Sequence, residues 1–166
     1  YRLLCTNITG NVQGTGSGAL INRQGQLIGI IHPSVLGEGS SNRIGGYAIS
    51  DIKGIIEHLS NESAIPYTGI YGMDVTEKLI KKENMPQGVY VKEVAVDSPA
   101  MAAGIQSGDV IVGIDGEDIG NLYNYHSILM EKSEGSEINL KGCRQGTGGE
   151  YVDIDFKVTV GSKNKD

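Results

Sequence analysis

Ser98-Pro99-Ala100-Met101-Ala102-Ala103-Gly104-Ile105-Gln106-Ser107-Gly108-Asp109-Val110-Ile111 is the stretch on which the reading of this chain turns. Ser98 is a helix N-cap, and Pro99 takes the first helical position, where its missing N–H costs nothing. Gly104 stops the helix after a turn or two. Gly108-Asp109 is a turn, and Val110 to Ile114 is an apolar run that reads as a buried strand ending in the tight turn Asp115-Gly116. Working outward, Leu122, Tyr125 and Leu129 mark one face of a longer helix, from Leu122 to about Glu131. Ile138 and Leu140 open a hairpin. In its return strand Val152, Ile154, Phe156, Val158 and Val160 alternate with polar residues, so one face meets the core and one meets water. On the N-terminal side Val89-Tyr90-Val91 is a strand. Asp74 with Glu77 reads as a capping box for a helix carrying Val75, Leu79 and Ile80. Tyr67-Thr68-Gly69-Ile70 is a short extended segment.

The first sixty residues have a different texture. Leu3-Leu4-Cys5 is a strand candidate, and Ala19-Leu20-Ile21 and Leu27 to Ile31 flank Arg23-Gln24-Gly25 as a hairpin. Asn7 to Gly18 and Pro33 to Gly46 read as loops. Tyr47-Ala48-Ile49 is a last strand, after which Ser50 and Asp51 stand where a helix cap belongs. Ile52, Ile55, Ile56 and Leu59 give that helix an apolar face. A polar segment ending in Pro66 marks the domain boundary.

Composition narrows the function classes. The 25 glycines, single Phe and absent Trp fit a turn-rich β fold with an aliphatic core. The net charge of −6 gathers in residues 67–160, which carry fifteen acids and eight bases, against four of each in 1–66. With no basic stripe, no nucleic-acid partner is expected. Cys5 and Cys143 have no metal-ligand spacing and read as two buried small apolar side chains. No metal site and no cofactor are expected.

The quoted stretch closely resembles the signature of PDZ domains from HtrA-type serine proteases, and Gly113-Ile114-Asp115-Gly116 is similar to the turn that follows it there. Tyr67-Thr68-Gly69-Ile70 resembles that family's carboxylate-binding loop, with Thr68 where a hydrophobic residue is usual. The resemblance implies a module that grips the free C-terminal end of another polypeptide. Tyr67, Thr68, Gly69 and Ile70 would hold the carboxylate through backbone N–H groups. Gly69 allows close approach, and a Gly69→Asp change would place a like charge in the loop. Tyr71 and Gly72 would continue as an edge strand for the peptide to join, with Tyr125, His126 and Leu129 forming the opposite wall or floor of the groove.

Gly14 to Asn22, then Gly25 to Ile30 and Gly46 to Ser50, resemble the end of the protease domain of the same enzymes. A gap-free match puts Gly16 at the nucleophile position, and a glycine has no side chain with which to attack a carbonyl. Ser17, next door, is a poor substitute, so no catalytic residue is expected. His32 and His58 match no triad position.

The expected architecture is thus β-rich α+β. Residues 1–60 would be a degenerate, partial chymotrypsin-like barrel of C-terminal strands plus a terminal helix, with open edges and exposed apolar surface. Residues 61–66 would be a linker, 67–160 a PDZ domain and 161–166 a disordered tail. The expected partners are C-terminal peptides or misfolded proteins, with a homo-oligomer as a further option. The alternative function is the substrate-recruiting part of an active HtrA-type endopeptidase. Because Tyr1 opens within a strand, the sequence reads as a piece of a longer protein. The resemblance implies an extracytoplasmic setting and a membrane anchor outside the piece.

Overall fold

The computed structural model describes residues 3–6, 17–32 and 44–163. Gly16 and most of both long glycine-rich loops fall outside the described residues. The chain divides into two compact units, Tyr1–Glu57 and His58–Asp166.

The first unit is an antiparallel sheet of β1 (Leu3–Thr6), β2 (Gly18–Ile21), β3 (Leu27–Ile31) and β4 (Ile44–Ala48), in the order β1-β4-β3-β2. The β2–β3 hairpin is held by Asn22, whose carboxamide oxygen accepts from the Gln24 and Gln26 amides at 3.0 and 2.9 Å. Helix α1 (Ile49–Ser60) begins at Ile49 itself, so Ser50 and Asp51 lie in its first turn instead of capping it. Ile21, Leu27 and Ile28 are exposed, as expected of part of a barrel. Cys5 is exposed too, which corrects its reading as a buried residue. β1 is an edge strand, and a short apolar strand buries only alternate side chains.

The second unit is built on an antiparallel sheet. Its strands are β6 (Ile70–Asp74), β7 (Val89–Val94), β8 (Val110–Ile114), β10 (Glu137–Gln145) and β11 (Tyr151–Thr159), in the order β11-β10-β8-β7-β6. A two-residue strand, β9 (Glu117–Asp118), folds back on β8 through Asp115 and Gly116, whose φ values of 48° and 86° suit a twisted hairpin turn. The core gathers Val89, Val91, Ile111, Ile114, Leu140, Phe156 and Val158 from the sheet. Ala100 joins it from α3 (Pro99–Ala102), and Tyr125 and Leu129 from α4 (Leu122–Met130). Val152 is exposed, so the core face of β11 starts at Ile154.

Three local expectations change. α2 (Glu77–Glu83) is preceded by Thr76 without a side-chain cap, and Asp74 is engaged elsewhere. Ile65–Tyr67 forms β5 and pairs with β12 (Gly161–Lys163), so parts of the presumed linker and tail are sheet. Main-chain pairing needs no side-chain alternation, which is why Gly161-Ser162-Lys163 carries no strand signal. The unit boundary also falls within α1, ahead of the polar segment.

The quoted motif is fastened by a buried ion pair. Asp109, 1% exposed, accepts from Arg144 Nε at 2.7 Å and from its terminal nitrogen at 2.8 Å, and from the Gln106 amide at 2.9 Å. Arg144 also donates to the Gly104 carbonyl at 3.0 Å. Breaking such a pair leaves a buried charge unmatched. Arg144→Met is expected to cost about 3 kcal/mol, the low end for buried pairs, since the Gln106 amide stays and Arg144 is a third exposed. Urea denaturation that finds less than about 1 kcal/mol would refute the assignment.

The two thiols should also part in chemistry. Burial, with help from the Asp153 carboxylate that the thiol donates to at 3.4 Å, pushes Cys143 up to about 11. Near neutral pH an alkylating reagent is therefore expected to label Cys5 alone. Cys143 should react on unfolding, or as the pH approaches 11. Equal native-state labelling of both would contradict this.

Candidate peptide-binding groove

Among the described residues β6 pairs on one side only, with β7, which leaves its outer edge open. The local hydrogen bonds fix which groups face that edge. The Ala95 amide donates to the Gly69 carbonyl at 2.8 Å, and the Ala100 amide donates to the Thr68 carbonyl at 2.8 Å. Both peptide units are trans, so N–H and C=O point in opposite directions. With the Gly69 carbonyl turned to β7, the Ile70 N–H is turned away from β7, to the open edge. With the Thr68 carbonyl turned to α3, the Gly69 N–H is turned away from α3. The pairing of Ile70 with Val94 agrees, because antiparallel ladders alternate bonded and outward-facing pairs.

Gly69 makes this turn possible. Its φ of +87° is in the left-handed region, and a Cβ there would clash with Ser98 Cβ. Gly69→Asp would therefore break the loop itself before its charge could act, and so cannot isolate the electrostatic effect. Gly72 serves packing. A Cβ on it would meet Val89 Cγ1 at 2.6 Å, so this residue lets β6 approach β7 beside the irregularity at Tyr71/Gly72.

The candidate for the second wall is α4, and polar contacts at both its ends and its middle hold it. At its start Asp74 Oδ1 accepts from the Leu122 amide at 2.6 Å, and Asn121 Oδ1 accepts from the Asn124 amide at 2.9 Å. Together they satisfy donors that a helix N-terminus leaves open, and the carboxylate also suits the helix dipole. At its end His58 Nε2 lies 3.0 Å from the Met130 carbonyl oxygen, an acceptor, so this nitrogen carries the proton. In the middle Thr68 Oγ1 and the Tyr125 hydroxyl lie 2.7 Å apart, both buried.

The expected site residues thus separate. Gly69 and Ile70 form the turn, and Tyr71 stands exposed on the edge strand. Tyr67 flanks the turn; burial raises its phenol, and the Tyr71 hydroxyl adds to the rise. Tyr125 and Leu129 belong to the core, at 1% and 3% exposure. His126 is half-buried with its ring edge-on to Tyr125. Thr68, out of place as a hydrophobic residue, is the buried partner of Tyr125. Burial drives the Tyr125 phenol far above its ordinary value, with the Thr68 bond opposing, so it stays protonated. Sequence reasoning did not anticipate Asp74, His58 or Ala95 here. Among the described residues no cluster of three or more His, Cys, Asp or Glu is placed to hold a metal ion.

The profile of the PDZ domain family matches residues 66–158. The chain belongs to the PDZ domain family. Its PDZ domain and the residues before it also align with longer proteins. The chain is 33% identical over 147 residues to the serine protease Do-like HtrB of Bacillus subtilis (strain 168), covering 80% of this chain and 32% of that protein. To the periplasmic serine endoprotease DegP of Escherichia coli (strain K12) it is 28% identical over 159 residues, covering 92% and 33%. A solved structure, the HtrA-type protease AlgW with decapeptide, shares the fold at a TM-score of 0.58 and 19% identity, over 90% of this chain and 46% of that one. The chain spans about a third of the length of the curated relatives it matches.

Thr68→Val keeps the shape of the side chain and leaves the Tyr125 hydroxyl buried without its partner. It should destabilise the PDZ domain by about 1–3 kcal/mol, whereas Thr68→Val with Tyr125→Phe removes both polar groups and recovers most of the loss. Urea midpoints of the two variants decide. A double variant no more stable than the single one would mean the bond is not what holds these side chains.

Proposed function

We propose that residues 58–163 bind the free C-terminal end of another polypeptide, which adds as a strand to β6 and places its carboxylate at the turned-out amides of Gly69 and Ile70. The observation that carries this reading is the open outer edge of β6 beside a helix held along its length. Main-chain pairing would supply affinity, and the side chains of the two walls selectivity. A carboxylate needs convergent donors, and two consecutive amides supply them without a basic side chain. The decapeptide in the AlgW structure is consistent with such a role.

For the whole protein, the reading is an HtrA-type chain in an extracytoplasmic setting, as the periplasmic DegP relative suggests, tethered to the membrane by a segment outside this sequence. Its partners would be C-terminal peptides or misfolded chains, and self-association remains an option through the same groove. Gly16 at the nucleophile position favours a degenerate protease half. The relatives' designation as serine proteases favours the other reading, in which the PDZ domain recruits substrate for an active enzyme.

Fluorescence anisotropy with a pentapeptide ending in valine tests the binding role on the full chain. The free acid is expected to bind at least about tenfold tighter than its C-terminal amide, a difference of about 1.4 kcal/mol. Equal affinities would reject recognition of the terminus. For the protease half, a fluorophosphonate probe on the full-length protein is expected to leave Ser17 unmodified, and a labelled Ser17 would reverse the degenerate reading.

A further inference from the structure

We propose that β12, which pairs with β5 and not with β6, is a positioning strand for the turn before β6, and that the Gly161 amide sustains the preference for a free C-terminus. The proposal rests on the C-terminal reading above and adds what holds that turn in shape. β12 pairs with β5 in the register Gly161↔Tyr67, Ser162↔Pro66 and Lys163↔Ile65. Opposed residues in an antiparallel ladder alternate between pairs that exchange both main-chain bonds and pairs that exchange none. Pro66 has no N–H, so its pair with Ser162 is of the second kind. The bonded pairs are therefore Gly161–Tyr67 and Lys163–Ile65. Gly161 donates to the Tyr67 carbonyl and accepts from the Tyr67 amide, one residue before Thr68-Gly69-Ile70.

Three successive carbonyls are thus claimed by three separate segments. Tyr67 gives its carbonyl to β12, Thr68 gives its own to the Ala100 amide at 2.8 Å, and Gly69 to the Ala95 amide at 2.8 Å. The last two set the directions of the Gly69 and Ile70 amides, and the first sets the peptide plane from which the turn starts. β12 is in turn fixed to the segment after α4. Val160, just before it, accepts from the Gly135 amide at 2.7 Å and donates to the Ser136 carbonyl at 2.8 Å, and Ser162 Oγ donates to Glu134 at 2.6 Å. Pro99 of α3 stands beside Gly161, where an added Cβ would come within 3.0 Å of its Cγ. Loosening β12 frees the first plane and leaves the turn held at two carbonyls. A carboxylate feels that loss because it needs convergent donors. Strand pairing along Ile70–Asp74 does not depend on it.

Two variants of the 166-residue chain separate the bond from the packing. Gly161→Pro removes the N–H at the first position of the strand, where a proline is otherwise tolerated. Gly161→Ala keeps the N–H and adds a Cβ against Pro99. Fluorescence anisotropy measures both variants and the wild type with one pentapeptide ending in valine, as free acid and as amide. Hydrogen exchange follows the amides of Thr68, Gly69 and Ile70. Gly161→Pro is expected to weaken the acid about fivefold, the scale of one hydrogen bond, to leave the amide within about twofold, and to speed exchange at the turn. Gly161→Ala is expected to keep the preference for the acid. An unchanged preference in Gly161→Pro, or the same loss in Gly161→Ala, overturns the role given to the bond. Equal weakening of acid and amide marks a general loss of structure and overturns it too. Should Gly161→Pro fail to fold, the chain ended at Val160 takes its place, with the same loss of preference expected and the same result refuting it. A wild type that binds acid and amide alike rejects the C-terminal reading, and this proposal with it. A wild type that prefers the acid, beside a variant that does so equally, rejects the positioning role alone.

Discussion

An edge strand presents main-chain donors and acceptors that its own sheet cannot satisfy, and β6 is one such edge, at the opposite end of its sheet from β11. Natural sheets usually blunt an edge with charge, proline or a covering element. Here β6 is short, Ile70–Asp74, and its one acidic side chain is drawn off to the start of α4. The same carboxylate that ends the strand therefore orders the start of α4, and so ties the edge strand to that helix directly.

The turn before β6 obeys a second constraint. A trans peptide unit cannot aim its carbonyl and its amide the same way. Once Ala95 and Ala100 have claimed the Gly69 and Thr68 carbonyls, the amides beyond them must face outward. The cap of α3 is thus part of the same construction. Ser98 accepts from Met101 at 3.2 Å, stands against Gly69 and helps set where Ala100 presents its amide. The motif that looks like a local helix start is also the brace of a turn thirty residues earlier in the chain.

This explains what was legible in the sequence. Ser98, Pro99 and Gly104 read correctly because capping and helix termination act within a few residues. β8 reads correctly because a strand buried on both faces is a continuous apolar run, and most of β11 because burial on one face imposes a period of two. Asp74 was misread because its spacing to Glu77 mimics a capping box, while its true partner, the Leu122 amide, lies 48 residues away. Thr68 looked like a flaw in a hydrophobic motif because its partner, Tyr125, is 57 residues off. β12 was missed because it is held by main-chain bonds to β5 and by Ser162 on Glu134, and neither leaves a period in the side chains. Local rules expose the elements, and the cross-links that tie them to one another are long-range.

The Thr68–Tyr125 pair shows why a departure from a motif can be informative. An aliphatic residue at 68 beside an aromatic without a hydroxyl would pack the same space at no polar cost. Placing two hydroxyls there obliges them to meet, because each is too buried to find water. That obligation fixes the ring of Tyr125 in direction as well as in position, which van der Waals packing alone does less strictly. The residue that weakens the resemblance at position 68 thereby ties α4 to the segment just before β6.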